Sequence, residues 1–318
     1  MIRRQWFSTP MGDDHALLRE ASAIISCEKP STDLELLEVL RAVCDERGTN
    51  LATALLYQYL NLHKQHGAFI KNVKQQNVNQ SKEYTPIHMV VVPGMFASRN
   101  PELGGDGAVL TSIASAMGFS VSKAPTNDLA SISENAGVLH EYLQSLSYDN
   151  LWLVSISRGS ADVRYMLTHY DTSDYEYRLR HWVSVSGIVA GSPLIEGLSQ
   201  RPVFTAFVKA VSKLQGISTN LAQELDREHP HWSIPHSNPS FSITHVMPVP
   251  MDWHLTSPVL SRYSKIRHLG PTDGLSLLAD TLKGPGNIYP IWGADHMLRV
   301  PNLSDHFYRL IHFLRKQS

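Results

Sequence analysis

A serine stands where an apolar segment gives way to a helix-like one. Residues 151–156 read LWLVSI, which is typical of a buried strand, and residues 161–167 have the spacing of a helix. Ser157 lies in the turn between them, with Ser155 two residues before it and Gly159 two residues after it. Small residues at these positions allow the sharp, strained turn that exposes a serine oxygen. The pattern predicts a nucleophile at Ser157, although serine is also common at the start of a helix.

Two later turns carry residues that activate such a serine. A serine hydroxyl is a weak nucleophile unless a histidine takes its proton and an acid orients that histidine. Asp273 is at the centre of the segment GPTDGL, and His296 lies in GADHM after the last predicted strand. Asp252 follows a strand more directly and is the alternative acid, whereas Asp295 is adjacent to the histidine, a position that seldom allows the required hydrogen bond. An aspartate in such a turn is also common for local reasons, because it bonds its own backbone.

Together, the turn at the serine and the two later turns resemble the α/β-hydrolase fold of lipases and esterases. The resemblance covers about residues 86–318. In that fold the chain order is serine, then aspartate or glutamate, then histidine. The resemblance therefore implies a catalytic triad of Ser157, Asp273 and His296. Ser155 departs from the glycine that the family has two residues before its serine, so its hydroxyl must be accommodated.

The same resemblance implies two backbone N–H groups that stabilise negative charge on a carbonyl oxygen. One belongs to Arg158, the residue after the serine. The other belongs to Met95, because Gly94 follows an early strand and lets the backbone approach closely; the family often has His-Gly where this chain has Pro93 and Gly94. The Arg158 side chain is unusual at its position. It either binds a carboxylate or phosphate of a substrate or, more often, bonds a helix end or an acidic neighbour.

Short apolar segments predict the strands that must position these turns. The run MVVV at 89–92 is wholly apolar, which is typical of a strand buried in a parallel sheet. Alternation of such strands with helices predicts the α/β class, with a mainly parallel sheet and helices on both faces. The predicted strands are 89–92, 119–122, 151–156, 181–189, 243–248 and 287–293, and the predicted helices include 106–117, 129–146 and 303–316.

The chain divides into two predicted regions. Residues 1–82 have the pattern of a helical extension and linker, with a polar stretch over 71–84. This extension fits packing on the core, pairing with a second copy in a homo-oligomer, or binding a protein partner. Residues 83–318 are the predicted hydrolase domain. An insertion at about 190–240 lies where this fold usually has a cap or lid, and its apolar helical pattern suggests either a hydrophobic substrate or packing on the core.

Composition excludes several classes of function. The 318 residues carry a formal net charge of −1, so nucleic-acid binding is not expected. No apolar run reaches the roughly 18 residues of a transmembrane segment, and the basic N-terminus lacks the apolar stretch of a secretory signal. Cys27 and Cys44 form neither a disulfide framework nor a metal-ligand spacing, and prolines interrupt the histidines at 229–236. We therefore expect no metal, no cofactor and a cytoplasmic location.

The predicted function is hydrolysis of a carboxylic ester or thioester with a hydrophobic acyl group, through an acyl-enzyme intermediate. The substrate is a small molecule or is linked to an acyl carrier. Acyl transfer to an alcohol or amine is one alternative, because the same triad serves both reactions. A non-catalytic binding protein with a hydrolase fold, docking a partner through its N-terminal helices, is the other.

Overall fold

The computed structural model describes residues 13–76, 86–196, 218–233 and 240–317. The strands of these residues form one sheet, and every neighbouring pair in it is parallel. They are β1 (His88–Val92), β2 (Ser120–Lys123), β3 (Leu151–Ile156), β4 (Leu179–Val185), β5 (Ser242–Val249) and β6 (Asn287–Trp292). Their order across the sheet is β2-β1-β3-β4-β5-β6.

Helices cover both faces of this sheet, because parallel strands need crossover connections that return over one face or the other. Successive residues of β1 alternate between two hydrophobic clusters, with Met89 and Val91 in one and Val90 and Val92 in the other. The predicted α/β class is confirmed.

The α-helices of the described residues are α1 (Asp14–Glu28), α2 (Asp33–Arg47), α3 (Thr49–Leu62), α4 (Lys64–Lys74), α5 (Ala108–Ala116), α6 (Ile132–Ser145), α7 (Gly159–His169), α8 (Ser173–Glu176), α9 (Leu221–Leu225), α10 (Ser257–Ile266) and α11 (Leu303–Arg315).

The N-terminal helices pack against the sheet. Leu56 of α3 and Ile70 of α4 belong to the same buried cluster as Ile288 and Ile291 of β6. Residues 13–76 pack on the core, which is one of the three arrangements that the sequence left open for this region. The predicted domain boundary at 82 and most of the predicted linker lie outside the described residues.

Strand β4 is shorter than the predicted strand over 181–189. It ends at Val185 because Ser186 has a φ angle of 48°, in the left-handed region, which interrupts extended backbone. The chain then turns close beneath α7, where a Cβ at Gly187 would lie 2.6 Å from Ser160 Oγ. Glycine is therefore required at the point where this loop passes under the helix.

The predicted cap is described over residues 190–196, 218–233 and 240. Residues 197–217 and 234–239, which include most of its apolar pattern, lie outside the described residues. At the near end, Ser192 Oγ donates to Leu275 O at 2.7 Å. After residues 197–217, the N–H of Ser218 donates to Leu129 O at 2.8 Å. The described parts on either side of that segment are thus attached to two loops at the carboxyl edge of the sheet.

Candidate active site

Ser157 lies on the turn between β3 and α7, at the carboxyl edge of the sheet. Its φ angle is 51°, a backbone conformation that residues other than glycine rarely adopt. The turn is held from both sides, because the N–H of Ser157 donates to Val185 O at 2.9 Å and its carbonyl accepts from the N–H of Ile188 at 3.0 Å. The side chain of Ser157 is only partly buried. The structure thus has the strained strand-to-helix turn that the sequence predicts.

The structure brings Ser157, His296 and Asp273 together. Ser157 Oγ lies 2.8 Å from His296 Nε2, and His296 Nδ1 lies 2.7 Å from Asp273 Oδ2. Both the imidazole and the carboxyl are buried. Ser157 follows β3 and His296 follows β6, whereas Asp273 lies in the turn after α10, so the sheet and this helix together bring the three residues side by side.

Hydrogen bonds hold the Asp273 carboxylate in place, and this carboxylate determines which ring nitrogen of His296 carries the proton. Asp273 Oδ1 accepts from the N–H groups of Leu275 and Ser276 at 2.9 and 2.8 Å. Burial alone raises the pKa of Asp273, but the adjacent His296 and these N–H donors outweigh burial, so the pKa lies below its ordinary value. An ionised carboxylate only accepts hydrogen bonds, so His296 carries its proton on Nδ1. Nε2 is then the acceptor that faces the serine hydroxyl.

The other candidate acids have different partners. Asp252 is half-exposed and pairs with Arg267 at 2.8 Å. Asp295 is buried and accepts from the N–H and the hydroxyl of Thr256 at 3.0 and 2.5 Å. Among these three carboxylates, Asp273 alone has a hydrogen bond to His296 in the described part of the chain.

Two glycines allow the loop after β1 to approach the serine turn. A Cβ at Gly94 would lie 3.3 Å from Ser157 Cβ, and one at Gly159 would lie 2.6 Å from Val92 O. A side chain at Gly159 therefore collides with rigid backbone rather than with a movable group. The small residue two positions after the serine, which the sequence singles out, is required by this contact between α7 and the end of β1.

The N–H groups of Met95 and Arg158 are the predicted oxyanion donors. Met95 follows Gly94 at this close approach, and Arg158 is the N-cap residue of α7. Neither N–H donates a hydrogen bond to another of the described residues. Backbone N–H groups without an internal partner are available to donate to a developing oxyanion, so the predicted role of these two groups stays a prediction.

The Ser155 hydroxyl is accommodated by a buried group of polar side chains under the turn. Its Oγ accepts from Trp182 Nε1 at 2.8 Å and lies 2.8 Å from Ser160 Oγ. Ser160 in turn accepts from Ser184 Oγ at 2.9 Å. Every hydroxyl in this group has a partner, so the departure from glycine at 155 is compensated by neighbours that the local motif does not contain.

Ser155→Gly is therefore expected to destabilise the fold, although it restores the family pattern. The substitution leaves the buried Trp182 indole N–H without an acceptor, which lowers the free energy of unfolding by about 1–3 kcal/mol. Urea unfolding monitored by circular dichroism measures this change. The double variant with Trp182→Phe removes the donor as well, so its loss should be smaller than the sum of the two single losses. Wild-type stability in Ser155→Gly contradicts the prediction.

The Arg158 side chain is buried among loop carbonyls. It is 1% exposed, and it donates to Ala130 O at 2.8 Å and to Asn127 O at 3.1 Å. Asp162, one turn further along α7, lies 3.5 Å from it. The guanidinium thus bonds backbone carbonyls and an acidic neighbour, which is the second of the two roles considered from the sequence.

Asp162 makes stability depend on pH. It is fully buried, and burial, opposed by the charge of Arg158, raises its pKa from 3.8 to about 7. Between these values the folded protein keeps a proton that the unfolded chain releases, so stability falls as pH rises through this window. The melting temperature of wild type should therefore fall between about pH 4 and 7, and this fall should be smaller in Asp162→Asn. Asp149→Asn changes an exposed carboxylate and should leave the fall unchanged. Equal slopes in wild type and Asp162→Asn contradict the assignment.

One positioning contact of the site was missed at the sequence level. Asp128 Oδ2 accepts from both the N–H and the hydroxyl of Ser98, at 2.8 and 2.7 Å, which ties the loop after β1 to the loop before α6. A local signal was available, because Ser131 and Glu134 form a capping box that fixes where α6 begins. The capping box predicts the position of the loop before α6, but it does not predict that Asp128 in this loop contacts Ser98.

The described residues contain no group of three or more histidine, cysteine or carboxylate side chains placed to hold a metal ion. His229 and His231 have rings 4.4 Å apart, while His236 lies outside the described residues. Within the same described ranges, no helix has both the length and the apolar character needed to cross a membrane.

Comparison with known proteins identifies the fold. No protein-family model and no curated protein matches the sequence. Among solved structures, a metagenomic carboxyl esterase is similar with a TM-score of 0.60 and 18% sequence identity, over 89% of this chain and 91% of that chain. The mature form of the Bacillus licheniformis lipase BlEst2 has a TM-score of 0.47 at 15% identity, over 70% and 89% of the two chains. EstA from Clostridium botulinum has a TM-score of 0.48 at 12% identity, over 76% and 90%.

The chain has the α/β-hydrolase fold. The parallel sheet with helices on both faces and the similarity to the metagenomic esterase both lead to this conclusion, and the predicted fold is confirmed. The similarity over 89% of the chain covers more residues than 83–318 contain. It therefore extends into the N-terminal helices.

Proposed function

We propose that this protein is a serine hydrolase that cleaves a carboxylic ester or thioester of a hydrophobic acyl group. One observation carries the proposal: the Ser157 hydroxyl, on a strained turn, is hydrogen-bonded to His296, and His296 is hydrogen-bonded to the buried Asp273. Nucleophilic catalysis by serine needs this set of an accessible hydroxyl, a base and an acid that orients the base.

In the proposed acylation step, His296 Nε2 takes the proton of Ser157 as Oγ attacks the substrate carbonyl carbon. The carbonyl oxygen becomes an oxyanion, which accepts hydrogen bonds from the N–H groups of Met95 and Arg158. The imidazolium then gives its proton to the leaving alcohol or thiol as the carbon–oxygen or carbon–sulfur bond breaks. The acyl group remains on Ser157 as an ester.

Deacylation repeats the same steps with water as the nucleophile. His296 takes a proton from water, whose oxygen attacks the acyl-enzyme carbonyl, and then returns that proton to Ser157 Oγ as the acid is released. Asp273 stays ionised throughout, because its pKa lies below the ordinary value. Its charge stabilises the imidazolium that forms in both steps.

Apolar side chains beside the serine support a hydrophobic acyl group. Ile188, whose N–H donates to the Ser157 carbonyl, packs with Leu221 of α9 in a small buried cluster. Met95 and Ile195 lie against this cluster and remain partly exposed. Burying an alkyl chain against such side chains stabilises a complex by about 25 cal/mol per Å² of apolar surface.

Labelling with a fluorescent fluorophosphonate tests the proposal. The probe phosphonylates activated serines, so wild type should be labelled and Ser157→Ala should not. Ser186→Ala is the matched control, because Ser186 also lies at the end of a strand with a left-handed φ angle of 48° but has no hydrogen bond to a histidine among the described residues. Its labelling should equal that of wild type.

Ester and thioester substrates of increasing acyl length then test the substrate class. Hydrolysis that is lost in Ser157→Ala and that prefers longer acyl chains supports the proposal. A folded wild-type protein that is neither labelled nor active on any ester, or a Ser157→Ala variant that is still labelled, contradicts it.

A further inference from the structure

The carboxylate of Asp14, in the first turn of α1, binds two tryptophans near the active site. Asp14 Oδ1 accepts from Trp253 Nε1 at 3.0 Å, and Oδ2 accepts from Trp292 Nε1 at 2.9 Å. Trp292 is the last residue of β6, and Trp253 lies in the short helical turn that follows β5. One N-terminal side chain therefore joins the ends of two adjacent strands of the sheet.

A histidine adds a third donor to this carboxylate. The N–H of Met251 donates to His254 Nδ1 at 3.0 Å, so a neutral His254 carries its proton on Nε2. That nitrogen lies 3.5 Å from Asp14 Oδ2. Burial, opposed by the charge of Asp14, lowers the pKa of His254, which favours the neutral ring. Its ring also lies against the turn after β6, since a Cβ at Gly293 would be 3.8 Å from three of its atoms.

Both strand ends lead to His296. Trp292 is four residues before the histidine on the same turn. The segment after Trp253 contacts the residue that precedes the histidine, because Thr256 donates to the buried carboxylate of Asp295 through its N–H and its hydroxyl. Asp295 directly precedes His296. The contacts of Asp14 therefore converge on the turn that carries the candidate base.

We infer that Asp14 is a positioning residue for the hydrolysis proposed above, and that the N-terminal helices form part of the active-site scaffold. The inference rests on the proposed function. Asp14 does not touch the reacting atoms; it fixes the two segments between which the His296 turn is held. A base must lie within hydrogen-bond reach of the proton it takes, and a misplacement of about 1 Å lowers the rate by up to about a hundredfold.

Two substitutions of Asp14 and one of its neighbour test this inference. Asp14→Ala removes both acceptors, and Asp14→Asn replaces one of them with an amide N–H₂ that cannot accept from an indole. Asp13→Ala is the matched control, because Asp13 caps α1 by accepting from the N–H of Ala16 at 2.9 Å and contacts neither tryptophan. It weakens the same helix end without changing the contacts to β5 and β6.

The first readout is the division of the effect between kcat and KM, measured well below the melting temperature of each variant. Asp14→Ala should lower kcat about ten- to hundredfold with little change in KM, because base placement affects the chemical steps rather than binding. Asp13→Ala should leave kcat near wild type. Wild-type kcat in Asp14→Ala, or an equal loss in Asp13→Ala, overturns the inference.

Hydrogen exchange gives a second readout that needs no activity. The N–H groups of His296 and Leu298 donate to Asp273 O and Asp295 O at 3.2 and 2.7 Å. Exchange over residues 293–298 should be faster in Asp14→Ala and unchanged in Asp13→Ala. If wild type proves unreactive to the fluorophosphonate, the proposed function fails by itself and this exchange difference still decides whether Asp14 holds the turn. Unchanged exchange over 293–298 in Asp14→Ala overturns the inference.

A double-mutant cycle identifies the path between Asp14 and the histidine. Thr256→Val removes the hydroxyl that binds Asp295 while keeping the shape of the side chain. If Asp14 acts through this contact, Asp14→Ala should lower kcat by a smaller factor in the Thr256→Val background than in wild type. Full additivity, with both single variants impaired, contradicts this route.

Discussion

His296→Ala is expected to lower kcat for ester hydrolysis by about a millionfold. Loss of the imidazole leaves the Ser157 hydroxyl without the acceptor that lies 2.8 Å away, so no group takes its proton at neutral pH. The leaving group also loses its proton donor. The substitution leaves the proposed oxyanion donors, the N–H groups of Met95 and Arg158, in place, so a residual rate above that in water should remain. Steady-state kinetics on a short-chain ester, with active-site titration of wild type, measures the effect.

Controls separate this chemical role from a loss of structure. The buried imidazole of His296 is replaced by a small side chain, so near-ultraviolet circular dichroism must match that of wild type before the kinetics are compared. His169→Ala removes an exposed imidazole that bonds Thr168, and its kcat should be near wild type. Added imidazole should partly restore His296→Ala. A loss of less than about tenfold in a folded His296→Ala variant is incompatible with the histidine as the base.

Local sequence patterns were enough to predict much of the fold and one part of the candidate site, the turn that bears Ser157. The turn at Ser157 is encoded within a few residues, because the apolar strand, the small neighbours and the following helix are contiguous in the chain. Such contiguous patterns can be recognised without knowing what packs around them. The parallel sheet follows from the same reasoning applied to successive apolar segments, and the fold prediction is confirmed.

The remaining features of the fold and the candidate site could not be predicted, because they depend on contacts between segments that are distant in the sequence. Whether a hydroxyl fits at Ser155 depends on Trp182, which lies on the neighbouring strand β4 but is distant in the sequence. The apolar stripe of the N-terminal helices shows that they bury a face, but not that this face lies on β6 or that Asp14 reaches Trp292. Periodicity identifies the buried side of an element and carries no information about its partner.

The choice between Asp252 and Asp273 shows the same limit. Asp252 follows a strand more directly than Asp273 does, whereas the resemblance to lipases and esterases favours Asp273. In the structure its carboxylate turns toward Arg267, and α10 carries the chain away before the GPTDGL turn brings Asp273 back to His296. The return depends on the length and direction of that helix relative to the sheet, which no local motif records. The catalytic role of Asp273 stays a prediction that kinetics must decide.

Asp273→Asn is expected to lower kcat about ten-thousandfold by reversing the histidine tautomer. Two backbone N–H groups, of Leu275 and Ser276, donate to Asp273 Oδ1. The carbonyl oxygen of the asparagine must occupy that position, so its N–H₂ group faces His296 Nδ1. The imidazole then accepts at Nδ1 and carries its proton on Nε2, where it can no longer take the proton of Ser157.

Asp252→Asn is the matched control for this prediction, because it makes the same change at the alternative acid. The Asp252 carboxylate is half-exposed and bonds Arg267 rather than His296. Its replacement should leave kcat within about twofold of wild type, since an exposed ion pair contributes little and lies outside the hydrogen-bonded chain from Ser157. A large loss in Asp252→Asn together with normal kcat in Asp273→Asn contradicts the assignment of the acid. Because both variants keep the size of the side chain, that outcome cannot be attributed to a cavity in the core.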